Sequence, residues 1–248
     1  MITSRQNSFI KEIKSLSEKK RRDEKGLFTV EGVKGVKEAL ASSFTVCAVV
    51  GTEKGLSVFP DGSIPPSVRV EVVTEDVFSS ITSESSPQGI IAVVKKPTGK
   101  SPTSENAIFL DRVSDPANVG AIVRTAVCAG ITDIYLFGTA DPFGEKAVRS
   151  SMGGIFRVNF IPTDGTASDC PLPLVVADMN GENVFERKTE SNFCLVIGNE
   201  ANGVSDEVKK RASFTVRIPM KNGMESLNAG VSAGILVYAL DKNARKGE

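Results

Sequence analysis

The run of apolar segments along this chain predicts an α/β protein of two domains. Short strand-like and helix-like runs alternate over the whole 248 residues. That is the pattern of strands joined by crossover helices into a mostly parallel sheet covered on both faces. The alternation breaks once, at the polar, proline-containing stretch KKPTGKSPTSEN, residues 95–106, and then restarts. A third observation concerns three strand-to-helix junctions in the second half. Each carries polar residues, and in an α/β sheet such junctions align along the edge where ligands bind. The expected organisation is a first domain at 1–96, a linker at 97–106 and a second domain at 107–248.

Residues 7–24 predict one helix, with Phe9, Ile13 and Leu16 at helical spacing. Its later part carries Lys19, Lys20, Arg21 and Arg22, then Asp23 and Glu24. That cluster is either a solvated helix face or a patch that meets phosphates. A strand at 27–30, a helix at 31–41 and a strand at 44–50 follow. Strands at 68–73 and 89–94 flank a helix near 75–81. After the linker come a strand at 107–111 and a helix at 118–129. The helix sets Val119, Ile122, Val123, Ala126 and Val127 on one face. A strand at 133–137 and a helix at 145–151 lead into strands at 155–161, 174–177 and 193–197. A helix at 205–212, a strand at 214–218 and a closing helix at 227–240 complete the pattern.

Composition narrows the chemistry. The chain has no histidine, which excludes imidazole bases, Ser-His-Asp triads and His-ligated zinc. Acid–base work must use Asp, Glu, Lys, Arg, Tyr or a group on the substrate. Cys47, Cys128, Cys170 and Cys194 are not paired at metal-ligand spacing. They are expected as reduced, buried thiols, with no metal site. The formal net charge is zero, so no global field announces a polyanionic partner. No apolar run approaches the roughly 18 residues that span a bilayer, and MITSRQNSFIKEIK has no apolar signal region. A cytoplasmic protein without membrane contact is expected.

At the first junction, Asp115-Pro116 marks a turn and Asn118 stands where a helix cap belongs. Arg124, between Val123 and Ala126, either pairs with a carboxylate or projects toward a ligand. At the second, the strand FCLVIG runs into Asn199, Glu200, Ala201, Asn202 and Gly203. Gly198 allows close backbone approach, and Glu200 either reaches into the crevice or starts a helix. At the third, Ile218-Pro219 ends a strand, Ser226 is placed to cap a helix starting at Leu227, and Asn228 falls in its first turn, a poor position for asparagine unless its side chain is used.

The segments N-V-G-A-I-x-R-T-A (118–126), I-G-N-E-x-x-G (197–203) and I-P-M…S-L-N-A-G-V-S (218–232) resemble, in order and spacing, motifs 1, 2 and 3 of the SpoU, or TrmH, family. These are RNA 2′-O-ribose methyltransferases of the SPOUT superfamily. The resemblance runs over roughly residues 107–240. AVRSSMGGIFRV (147–158) resembles the family segment between motifs 1 and 2 and makes Arg149 a candidate RNA contact, beside Lys19, Lys20, Arg21 and Arg22. The resemblance implies a parallel-sheet domain with a deep trefoil knot, an exception to unknotted topology. It implies S-adenosyl-L-methionine as cofactor, with Gly198, Ile218 and Leu227 in contact and Gly138 and Met220 as further candidates. It implies Asn118, Arg124, Glu200, Ser226 and Asn228 as the catalytic set, and a homodimer. FTVEGV (28–33) and the helix after it are similar to the L30e-like substrate-binding domain of family members, which favours ribosomal over transfer RNA. Guanidinium has a pKa above about 12, so Arg124 is expected to clamp phosphate and stabilise oxyanion charge rather than act as a free base. The other readings are an RNA-binding relative without catalysis, acting in ribosome assembly, and a nucleotide-binding α/β enzyme. The latter lacks a G-x-G-x-x-G after its first strand.

Overall fold

The computed structural model describes residues 1–99, 101–103, 105–187, 189, 191–224 and 226–241. Lys100 and Ser104 of the expected linker lie outside them. The first nine elements are α1 (Ser8–Ser15), α2 (Lys19–Lys25), β1 (Leu27–Glu31), α3 (Val33–Ala41), β2 (Val46–Gly51), α4 (Glu53–Leu56), β3 (Arg69–Val72), α5 (Glu75–Phe78) and β4 (Ile90–Lys95). Then come β5 (Ala107–Asp111), α6 (Pro116–Cys128), β6 (Asp133–Phe137), α7 (Glu145–Ser150), β7 (Asn159–Pro162) and β8 (Leu174–Asn183). The last four are β9 (Cys194–Gly198), α8 (Asp206–Lys209), β10 (Ala212–Arg217) and α9 (Ala229–Leu240).

The chain divides into two compact units. Unit 1 is Met1–Thr98 with Asp141–Phe156, and unit 2 is Gly99–Ala140 with the chain from Arg157 onward. Helix α7, in the second half of the sequence, thus belongs to the first unit.

Unit 1 is built on a four-stranded sheet of order β1-β4-β2-β3. Strand β4 runs antiparallel to β1 and β2, and β2 and β3 are parallel. Ile10, Ile13 and Leu16 of the N-terminal helical region pack with Val50, Val77, Phe78 and Ile91 as a core. The single helix expected over 7–24 is two helices. Arg22, on α2, donates to the carbonyls of Leu16 and Ser17 at 2.8 Å each, satisfying acceptors at the end of α1 that a continuous helix would have used. The inserted segment packs on the same sheet: the Phe143 ring lies 5.0 Å from that of Phe28, and Phe156 lies 5.3 Å from Phe44. The strand expected over 155–161 is a 3₁₀ turn at Gly154–Arg157 followed by β7. Met152 (φ 50) and Gly153 (φ 87) turn the chain just before it.

Unit 2 is a six-stranded sheet of order β10-β8-β9-β5-β6-β7, and every pairing is parallel. The strands read as continuous apolar runs because both faces are covered; β5 is buried at all five positions. Helices α6 and α9 pack against each other. The small residues of α9 serve this contact: a Cβ on Gly230 would lie 2.9 Å from the Ala121 methyl. Strand β8 is interrupted. Thr215 pairs with Val176 and the next residue, Val216, pairs with Glu182. Residues 177–181 between them form an irregular bulge in the ladder.

The cysteines divide two and two. Cys170 and Cys194 are buried as expected, whereas Cys47 and Cys128 are exposed. Cys128 lies four residues after Arg124, on the same outer face of α6. No helix among the described residues is long and apolar enough to cross a membrane.

Candidate active site

The three polar junctions meet at the carboxyl edge of the unit 2 sheet. Helix α6 starts at Pro116, and its cap is Asp115, whose side chain accepts from Ala117 N at 2.9 Å. Proline in the first helical position needs no amide partner. Asn118 is therefore not the cap. It sits in the first turn, buried, with its side chain free for tertiary bonds. Its Nδ2 donates to Glu200 Oε1 at 2.8 Å, and its Oδ1 accepts from Asn228 Nδ2 at 2.8 Å. The cap of α9 is Asn228, not Ser226, and the helix begins at Ala229. Asn228 Oδ1 accepts from the Gly230 and Val231 amides at 2.9 and 3.3 Å.

The direction of this chain is dictated by its ends. An ionised carboxylate only accepts, so Asn118 must turn its NH₂ toward Glu200. Helix amides only donate, so Asn228 must turn its oxygen toward α9. The remaining oxygen of Asn118 and NH₂ of Asn228 then meet. One polar thread ties all three motif segments together.

Glu200 is the anchor. It also accepts from Ser114 N at 3.0 Å, Ser114 Oγ at 2.8 Å and Asp115 N at 3.2 Å. Burial opposes its charge, but the bonds from Asn118 and Ser114 prevail and hold its carboxyl down to about 2. Its loop is pinned at the base by paired backbone bonds between Asn199 and Gly203, at 3.1 and 2.9 Å. Asn199 Nδ2 donates to Arg112 O at 2.9 Å. Sequence reasoning missed Ser114, Asp115 and Asn199 as parts of the frame. The Asp-Pro pair was the available signal for the cap, since aspartate before proline is a helix start as well as a turn.

Beside this thread opens a cleft of about 1020 Å³. Asn118, Gly198, Glu200, Ile218, Met220, Ser226, Leu227 and Asn228 all line it. Residues 177–180, from the interrupted part of β8, form part of the wall. Met179, Met224 and Leu227 on this wall are 61%, 65% and 39% exposed, leaving apolar surface for the apolar body of a ligand to cover. That suits an adenosyl sulfonium, whose rings and methylenes need such contact. Gly198 has no room for a side chain: a Cβ there would lie 2.3 Å from Gly203 C and Val204 N, both backbone atoms. Gly198→Ala is expected to lower stability by about 1–3 kcal/mol and to weaken cofactor binding at least tenfold. Thermal melts and titration calorimetry check this; an alanine variant with native affinity would show that the loop yields freely.

Two expected residues lie elsewhere. Arg124 is exposed and off the cleft wall, with no hydrogen bond or ion pair among the described residues. It stands six residues beyond Asn118, about 240° around and about 9 Å along the helix. Gly138 does not line the cleft either; it turns the chain after β6 at φ 57, beside Arg112.

The basic residues of unit 1 divide. Lys19 pairs with Asp23 at 2.7 Å, Arg21 with Glu24 at 2.9 Å and Lys20 with Glu24 at 4.0 Å, all on an exposed face. Arg149 is bonded to Glu84. Arg22 is no phosphate contact: it is 5% exposed and pairs with Asp141 at 2.7 Å. Once α1 and α2 separate, Arg22 turns inward.

A parallel sheet with a polar thread and a partly apolar cleft at its carboxyl edge is the arrangement of an α/β protein with a candidate small-molecule site at that edge. Residues 105–238 match the SpoU rRNA Methylase family, and the chain belongs to it. Residues 7–92 match the MRM3-like substrate binding domain. The chain is 32% identical over 250 residues to the 23S rRNA (guanosine(2553)-2'-O)-methyltransferase RlmP of Bacillus subtilis, covering 96% of this chain and 98% of the relative. It is 29% identical over 259 residues to the 23S rRNA (uridine(2479)-2'-O)-methyltransferase of Streptomyces viridochromogenes, covering 96% and 90%. The crystal structure of an AdoMet-bound rRNA methyltransferase from Sinorhizobium meliloti superposes with a TM-score of 0.85 at 29% identity, covering 99% of this chain and 97% of that one.

Proposed function

We propose that this protein is a cytoplasmic homodimer that methylates a ribose 2′-hydroxyl of 23S ribosomal RNA, using S-adenosylmethionine. The observation that carries the reading is the Glu200–Asn118–Asn228 thread beside a cleft with an apolar wall. The ribosomal RNA specificities in the names of the two relatives support the substrate class.

The bound cofactor supplies a methyl group already activated by its positive sulfur. The chain must hold the acceptor in line and keep water out. Gly198, Ile218, Met220 and Leu227 hold the adenosyl part by backbone approach and apolar contact. Asn118, Ser226 and Asn228 set the ribose. Glu200 keeps the Asn118 amide in one orientation. It is a poor proton acceptor near neutrality, because its carboxyl sits at about 2. The 2′-proton leaves to an RNA phosphate or a water, with the developing oxyanion stabilised by Arg124. Because Arg124 stands off the cleft of its own chain, it serves the cleft of a second copy. Val231 and Tyr238, 51% and 38% exposed on α9, offer apolar contact for that copy. Lys19, Lys20, Arg21 and Arg149 meet RNA phosphates by exchanging their present acidic partners.

Methyl transfer from labelled S-adenosylmethionine to ribosomal and transfer RNA pools, with mass mapping, tests the reading. One labelled 2′-O-methyl position in ribosomal RNA is expected. Label confined to transfer RNA would overturn the substrate, and label in neither pool would favour a binding protein without catalysis.

A pH dependence follows from Glu200. Its folded carboxyl lies below the unfolded value of about 4.3. The stabilisation it brings is therefore complete above roughly pH 5 and fades only as pH falls toward 2. Turnover between pH 5 and 9 is expected to show no inflection owed to this residue. An inflection near pH 6 that Glu200→Gln removes would make Glu200 the base.

A further inference from the structure

The wall of the cleft carries a pair of opposite charges with no part in the transfer chemistry. Asp178, on the stretch of β8 that leaves the ladder, pairs with Lys209 of α8 at 2.7 Å. Its Oδ1 also accepts from Asn180 N at 2.9 Å. The two side chains are 15% and 36% exposed, and both line the cleft. The other charged side chains among the described lining residues are Glu200 and Arg217. Glu200 is committed to Ser114, Asp115 and Asn118. Asp178–Lys209 is thus the place on the described wall where both signs of charge stand together.

A carboxylate and an ammonium so placed each keep unused bonding capacity: further lone pairs on Asp178 and two further N–H donors on Lys209. The matching ligand group carries one charge of each sign a few ångströms apart, as an α-amino acid does. Four charges of alternating sign then meet in two charge-assisted pairs at a partly desolvated wall. A lone anion or a lone cation would instead meet its like charge as closely as its opposite.

We propose that Asp178 and Lys209 bind the α-ammonium and α-carboxylate of the cofactor's methionine tail and so select the zwitterionic donor. The inference rests on the reading of this cleft as the S-adenosylmethionine site. Neither residue belongs to the three motif segments, so the selection is made outside the transfer machinery.

Titration calorimetry on the full chain tests it with three probes: S-adenosylmethionine, S-adenosylhomocysteine and 5′-methylthioadenosine. The last retains the adenosine half and lacks the amino acid. Asp178→Asn and Lys209→Met are each expected to weaken the first two by about tenfold, leaving 5′-methylthioadenosine within about twofold. Equal losses for all three probes would mean that the pair touches adenosine or only braces β8, and the proposal falls. Unchanged affinity in both variants overturns it as well. If the unsubstituted protein binds none of the three probes, the cofactor reading itself fails. Each substitution tests one half of the pair, so either variant suffices should the other not fold.

Discussion

Replacing Arg124 with alanine is expected to cut methyl transfer by about 10²- to 10³-fold, the usual cost of removing one donor to a developing oxyanion. Cofactor affinity should stay within about twofold. The two expectations follow from different facts. The guanidinium is exposed and makes no ion pair among the described residues, so its removal leaves no buried partner unsatisfied. It also stands off the cleft proposed to hold the cofactor. In the proposed function its charge acts when RNA and a second copy of the chain bring a reacting oxygen to it. Arg124→Lys should recover little of the rate, because an ammonium cannot present two parallel donors. Single-turnover rates and calorimetry separate the two quantities. A variant that loses cofactor affinity along with rate would place Arg124 in the cofactor site and sink this assignment.

Arg22→Ala is expected to destabilise unit 1 by about 3–5 kcal/mol, the cost of leaving one member of a buried ion pair alone. The side chains of Arg22 and Asp141 are 5% and 9% exposed, and Asp141 Oδ2 accepts from both Nε and Nη2 of Arg22. Truncation strands the Asp141 carboxylate and also frees the carbonyls of Leu16 and Ser17 that Arg22 holds. Lys20, two residues away with its side chain 81% exposed, is the control: its alanine variant should shift stability by less than about 1 kcal/mol. Urea denaturation of the two variants measures the difference. If Arg22→Ala melts with the unsubstituted protein, the pair is not what joins Asp141–Phe156 to its unit.

The contrast between these two arginines measures what the chain discloses in one dimension. Both lie in helices, but only Arg124 stands beside apolar positions; α2 is wholly charged. Arg124, whose position predicts a carboxylate partner or a ligand, is exposed with no ion pair among the described residues; Arg22, whose cluster predicts a solvated face or a phosphate contact, is buried. Periodicity reports which face of a helix is apolar. It does not report a partner 119 residues away, such as Asp141. Strands β5 and β6 fall on the residues expected, because strands buried on both faces are unbroken apolar runs. The sequence turns polar after Ala177 and predicts the end of strand β8 there. The strand reaches Asn183 because Glu182 and Asn183 pair with β10, a contact that no local pattern contains. At the site, the cleft residues were legible through a resemblance spanning three segments. The frame around them was not. Local chemistry predicts Asn118 as a cap, and only the tertiary fold turns its side chain to Glu200 and Asn228.

The membership of Asp141–Phe156 in unit 1 also bears on how the chain is made. The polypeptide passes from one unit to the other after Thr98, after Ala140 and again after Phe156. A ribosome adding about 5–20 residues per second has delivered the whole four-stranded sheet of unit 1 by Lys95, yet the segment that completes that unit follows only after β5, α6 and β6. For several seconds the faces of Phe28 and Phe44 that later meet Phe143 and Phe156 have no cover from their own chain. The N-terminal half therefore does not finish folding before the C-terminal half begins. A nascent chain arrested between residues 98 and 141 should be more open to chaperones and proteases than one arrested past 156.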